Sequence, residues 1–211
     1  GLRILTDLFP LERRGAAVGI YVGSLVVGSG FSLLLSGMFI EHIGWQGVIF
    51  ITSCLSIIAS ILMMAIKIPV LKSNENSLNI QWNVIKRVLK KKNLLVNTGY
   101  AGHTWELYAM WAWIGPFLVY YYGVQGLEQT EAIRYGNITG AIVIMIGGIA
   151  TYVGGKLADQ FGHIKVVNIF LFISISCSIM IGWLDSVPLI VMFIVLFIYG
   201  FSIVADSPIY N

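Results

Sequence analysis

Six stretches of this sequence are each apolar for about the 20 residues that a helix needs to cross a hydrocarbon core roughly 30 Å thick. They run Ala16–Ile40, Gly47–Ile66, Leu94–Tyr122, Tyr135–Leu157, Val166–Trp183 and Pro188–Ala205, here called spans A to F. In lipid only a helix or a closed barrel satisfies its own backbone. The ten-residue alternating segments of a barrel are absent from the sequence. The expected class is therefore an all-α membrane protein, a polytopic bundle of six transmembrane helices. Composition agrees, with 57% hydrophobic and 11% charged residues and a mean hydropathy of +0.84. So few charges could not cover a soluble globule of this size. A cytosolic enzyme, a nucleic-acid binder and a disordered chain are all excluded, and the bilayer is the expected surrounding. Cys54 and Cys177 sit inside apolar runs, so neither a disulfide framework nor a metal cluster is expected, and no cofactor.

The basic residues order the six spans. Arg3, Arg13 and Arg14 precede span A. The B–C connection carries Lys67, Lys72, Lys86, Arg87, Lys90, Lys91 and Lys92, and the D–E connection carries Lys156 and Lys165. Arg134 alone falls on the opposite set of loops, so 12 of the 13 Lys and Arg share one side. Cytoplasmic loops collect Lys and Arg, which makes that side cytoplasmic. The organisation expected is residues 1–68 with two spans, a basic cytoplasmic linker at 69–93, and residues 94–211 with four spans. Within the linker, Asn83–Lys92 reads either as an ordinary linker with positive-inside charges or as a basic helix for the membrane surface.

Three spans carry informative side chains. Span A repeats Gly15, Gly19 and Gly23, with Gly28 continuing the run as a packing seam, since small residues let membrane helices approach closely. Span C holds His103 and Glu106 at i, i+3, on one helical face. At roughly 1.5 Å per residue from Leu94 they lie about 14 and about 18 Å deep, near mid-bilayer. A charge there costs at least ~2.5 kcal/mol, so a lone carboxylate avoids it by taking a proton, which the histidine one turn away can share. Trp113 extends the same face. On span F, Tyr199, Ser202 and Asp206 share a face, with Asp206 read as a solvated end or a cap before Pro208. Spans B and E contain no Asp, Glu, Lys, Arg or His between Val48 and Ala65 or between Val166 and Leu184, and read as lipid-facing.

The sequence Gly155-Lys156-Leu157-Ala158-Asp159-Gln160-Phe161-Gly162-His163-Ile164-Lys165 resembles the cytoplasmic loop motif of the major facilitator superfamily (MFS). Gly155, Asp159, Gly162 and Lys165 match that motif, and His163 stands where arginine is usual. Pro10–Gly15 before a glycine-rich span, then Gly44–Phe50, resembles the family's fifth and sixth helices, and the long basic linker resembles the loop joining its two halves. The resemblance implies that spans A to F are helices five to ten of a twelve-helix fold, completed by further helices of the same chain. It places Asp159 against the start of span A, near Arg13 and Arg14, in a loop governing conformation. The stretch His103–Leu118 is similar to the nitrate/nitrite and cyanate branch.

The function expected is secondary active transport of a small solute by alternating access, coupled to protons, in the plasma or inner membrane. The pathway residues would be His103, Glu106, Trp113, Tyr199 and Ser202. The rivals are a ligand-sensing, receptor-like membrane protein and a polytopic membrane enzyme. Against the enzyme, no nucleophile–base set stands out in the sequence.

Overall fold

A computed structural model of the chain describes residues 9–65 and 89–210, and among these it contains helices and no strand. The helices are α1 (Leu11–Ala65), α2 (Lys91–Val124), α3 (Gln129–Phe161), α4 (His163–Ile181), α5 (Leu189–Ala205) and the short α6 (Ser207–Tyr210). Most of the 69–93 linker, including Lys72, Lys86 and Arg87, lies outside the described residues.

Spans A and B are both carried by α1. Its 55 residues stay helical except at Gly44, where φ is +67° and ψ 176°. Only glycine adopts that backbone without steric cost, so Gly44 redirects the axis between the two apolar runs. The polar connection is thus a single residue, shorter than the gap between Ile40 and Gly47 suggests. Gly162 plays the same part between α3 and α4, at φ +90°. Among the described residues, four helices are long and apolar enough to cross a membrane: α1, α3, α4 and the stretch Leu189–Ile209. With 34 residues, α2 is also long enough, about 51 Å at the α-helical rise. It is less apolar because His103, Glu106 and its tryptophans and tyrosines interrupt it.

The hub is α3, which packs against α1, α2 and α5. Its glycines make that possible. A methyl added at Gly155 would strike the Gly15 carbonyl, one at Gly154 the Ala205 carbonyl, and one at Gly136 would lie 2.8 Å from the Val119 nitrogen. On α1, Gly19 faces the Thr151 carbonyl and Gly23 the Gly148 carbonyl at 2.6 and 2.9 Å from such a methyl. Thr151 Oγ1 donates to the Gly19 carbonyl at 2.8 Å, tying the seam with an interhelical hydrogen bond. Such bonds in membranes contribute on the order of 1 kcal/mol.

Gly28 corrects the expected seam. It is exposed, and nothing among the described residues stands within 4 Å of a methyl placed there. Gly30 and Gly37 take its place, against Met145 and against Asn137 and Ile138. The reason is angular. The five-residue step from Gly23 to Gly28 turns about 140° around the helix, whereas the seven-residue step to Gly30 returns within about 20° of the same face.

At the other end of the bundle, Tyr121 donates to the Val187 carbonyl at 2.7 Å, and the Tyr122 hydroxyl meets Thr139 Oγ1 at 3.0 Å. These bonds fix the end of α2 to α3 and to the start of α5. Span E also needs a correction. Val166, Phe170, Ser174 and Cys177 form a buried stripe on α4, so this helix turns one polar-bearing edge inward. Its lack of charges leaves room for that, because Ser174 carries no charge to desolvate. Span B presents mostly exposed side chains, with Val48 buried.

Candidate functional site

His103 is 4% exposed, on the face of α2 that looks toward α1 and the end of α5. Its expected partner, Glu106, is not the one it takes. His103 Nδ1 lies 3.2 Å from Asp206 Oδ1, and its Nε2 lies 2.9 Å from Ser207 Oγ. The Asp206 contact has ion-pair length without the alignment of a hydrogen bond, since Oδ1 accepts none. Tyr100 stacks on the imidazole with ring centroids 6.2 Å apart.

The chain reaches this arrangement because α5 stops at Ala205. Pro208 has no N–H to continue the ladder, Asp206 caps α5 and Ser207 opens the short α6. Discontinuous helices of this kind form binding sites in transporters, where freed backbone and side chains line a cavity. Asp206, read from the sequence as a solvated end or cap, is 1% exposed. A straight-helix count from Pro188 put it near the water. The end of α5 instead packs it against His103 of α2. The sequence signals for it were present: a carboxylate inside an apolar span, on the face of Tyr199 and Ser202, two residues before a proline.

Beside the pair lies a cavity of about 450 Å³ between α1 and α2. Tyr21 and Ser24 of α1 line one wall, Tyr100, His103 and Thr104 of α2 the other, and Ser207 contributes as well. Glu106 points elsewhere. Its Oε2 accepts from Ser174 Oγ of α4 at a long 3.4 Å, while Oε1 is buried with no hydrogen-bond partner among the described residues. The i, i+3 spacing is real, but tertiary packing sends the two side chains to different neighbours.

The other candidates separate in the same way. Trp113 is 70% exposed and, with the buried Tyr199, borders a smaller cavity of about 330 Å³. Ser202 is buried and donates to the Tyr199 carbonyl at 3.2 Å, a bond local to α5. At the start of α1, the Asp159 carboxylate packs on Gly15, where an added methyl would lie 2.5 Å from Oδ1. The carboxylate meets the start of α1 through Gly15 and not through an ion pair: among the described residues neither Arg13 nor Arg14 lies within 4.0 Å of it. Arg14 Nε donates to the Phe9 carbonyl at 3.0 Å, which turns its guanidinium away. Arg13, Lys156 and Asp159 line one open groove of about 690 Å³, and Lys165 is exposed. Among the described residues no group of three His, Cys, Asp or Glu could hold a metal ion.

The chain is 26% identical over 167 residues to the protein named spinster of Drosophila melanogaster, an alignment covering 74% of this chain and 27% of that protein. It therefore spans about a quarter of the length of the curated relative it matches, which is a spinster rather than a nitrate/nitrite or cyanate porter. No solved structure matches the chain. The sequence pattern of the Major Facilitator Superfamily matches residues 1–211, the whole length, over the same glycine-packed helices and Asp159 loop described above; the chain belongs to that superfamily.

Proposed function

We propose that the full-length protein carries a small solute across the membrane by alternating access and couples that movement to protons. The observation carrying this reading is the buried His103–Asp206 pair, 3.2 Å apart, beside a cavity walled by both α1 and α2. Ionisable groups inside a membrane bundle are costly and mark ion pathways. On this reading α1 is the end of the first half, α2 to α6 begin the second, and the glycine seam between α1 and α3 is where the halves meet. Residues 69–93 are then the cytoplasmic linker between them, in a plasma- or inner-membrane carrier. His103 and Glu106 are the proton-handling groups of α2, with Asp206 joining His103, and Trp113, Tyr199 and Ser202 border the solute's route. Gly155, Asp159, Gly162 and Lys165 form the loop that locks one conformation through Gly15.

The test uses full-length protein in proteoliposomes with a lumenal pH dye and a panel of small organic anions, amines and sugars. Wild-type carriers should move protons with at least one solute. Glu106→Gln, a mimic of the permanently protonated carboxyl, should keep solute exchange but lose accumulation driven by a proton gradient. His103→Ala should shift the pH dependence of uptake. Glu106→Gln carriers that still concentrate solute remove that residue from coupling, and wild-type carriers that move no solute refute the reading.

Topology has its own check. Glu128 stands at the N-cap of α3, on the side that the basic loops avoid. Glu128→Cys in intact cells should react with an impermeant maleimide added outside. Labelling only after permeabilisation inverts the assignment.

A further inference from the structure

We propose that the groove beside the α1–α3 seam seats one anionic phospholipid, its phosphate held between Arg13 of α1 and Lys156 of α3. The side chains of this groove are sorted along its length. Its charged members, Arg13, Lys156 and Asp159, sit where α1 begins and α3 ends. Beyond them Ile20, Tyr21 and Tyr152 carry the walls inward, with Ile20 63% exposed. Ser24 closes the far end, and its hydroxyl donates to the Tyr21 carbonyl at 2.7 Å, so that hydrogen stays within α1. The 11-residue step from Arg13 to Ser24 covers about 16 Å at the α-helical rise. Half of a hydrocarbon core roughly 30 Å thick is about 15 Å. The groove is thus charged at one end and apolar over the depth of one leaflet. That is the outline of a lipid with its headgroup at the helix ends.

Charge selects the headgroup. Two cations and one carboxylate leave the polar end net positive. Among the described residues neither Arg13 nor Lys156 forms an ion pair, although Asp159 lines the same groove. Asp159 packs on Gly15 instead, and Arg14 is held by the Phe9 carbonyl. A phosphodiester carries a single negative charge and several acceptor oxygens, so one phosphate serves both cations, with the Arg13 guanidinium as a forked donor. A choline or ethanolamine headgroup brings a cation of its own to an end that is already net positive. Phosphatidylglycerol is therefore the better fit.

The bound lipid has a mechanical effect. Arg13 and Lys156 belong to two helices that no ion pair joins at this end among the described residues. One phosphate between them ties α1 to α3 beside the contact of Gly15 with Gly155. Such a lipid is a companion of the seam and not cargo, so it is expected whether or not the protein moves a solute.

Full-length protein in phosphatidylcholine nanodiscs would receive a trace of phosphatidylglycerol with a diazirine in its acyl chain. After illumination, mass spectrometry maps the adducts. They should fall on residues 17–24 and on Tyr152, and matching phosphatidylcholine and phosphatidylethanolamine probes should label those positions several-fold less. Competition by unlabelled phosphatidylglycerol gives the affinity. Arg13→Gln and Lys156→Gln should each weaken it about fivefold, the worth of one basic residue beside an anionic headgroup. Lys156→Arg keeps the charge and should stay within about twofold. Lys91→Gln, at the start of α2 and outside the groove, measures general attraction to an anionic surface and should change nothing. Phosphatidylglycerol should raise the Tm of the wild type above its value in phosphatidylcholine, and Arg13→Gln should erase that gain. Soluble glycerol phosphate should not compete, because it lacks the acyl chains. An absence of adducts in the groove means that another part of the full chain covers it, and overturns the proposal. Equal labelling by the three lipids, competition by glycerol phosphate, a Tm that ignores phosphatidylglycerol, or Arg13→Gln and Lys156→Gln affinities that match Lys91→Gln would each overturn it as well.

Discussion

Gly154→Ala in the full-length protein should cut folded yield several-fold and leave the surviving molecules with a lowered Tm. Alanine is the better helix former by about 1 kcal/mol, so on an open face the change would stabilise α3. At Gly154 the new methyl lands on the Ala205 carbonyl, the last residue of α5. Backbone cannot swing aside as a side chain can, and overpacking of this kind costs typically 1–3 kcal/mol or more. The collision therefore outweighs the propensity gain. Gly28→Ala is the contrast, because the same methyl there has nothing within 4 Å among the described residues. Its yield should match the wild type within about twofold, given only the propensity term. Fluorescence-detected size exclusion with a heating series reads both. Equal losses in the two variants would mean that close packing on α3 does not decide stability.

Asp206→Asn should abolish solute accumulation driven by a proton gradient. The substitution keeps the shape of the side chain but removes the negative charge facing His103 Nδ1. An opposite charge within about 4–6 Å favours a charged partner. Without it, only exchange of solute down its own gradient should remain. Asp206→Ala should do worse in yield as well, since removing one member of a buried pair costs about 3–5 kcal/mol. Uptake profiles per folded molecule distinguish the cases. An unchanged profile in Asp206→Asn would make the pair a structural tie only.

Much of this was legible in the sequence. The apolar runs foretold the helices, because a bilayer allows few alternatives, and the chain belongs to the multi-pass membrane superfamily its loop motif resembles. The seam was legible from Gly15, Gly19 and Gly23, which repeat about once per turn. It failed at Gly28 because a repeat seen along the sequence ignores rotation around the axis. The site was half legible. Spacing alone joins His103 to Glu106, since local geometry is all that a sequence offers. Asp206 and Ser207 lie over a hundred residues away, and only tertiary packing carries them to the imidazole. Ser174 was hidden for a related reason: an uncharged span gives no hint that one of its serines meets a carboxylate.

The glycine seam has a mechanical consequence. Where bulky ridges interlock, a helix that shifts must lift its side chains over its neighbour's, and the pair clicks between registers. Along α1 and α3 much of the contact is backbone on backbone, at Gly15 with Gly155 and at Gly19 and Gly23 with Thr151 and Gly148. Such a track has few teeth. A slide or roll of a fraction of a turn there asks for little rotamer change, so the resistance to motion falls on the hydrogen bond of Thr151 and on the Asp159 carboxylate at the track's end, which act as its detents.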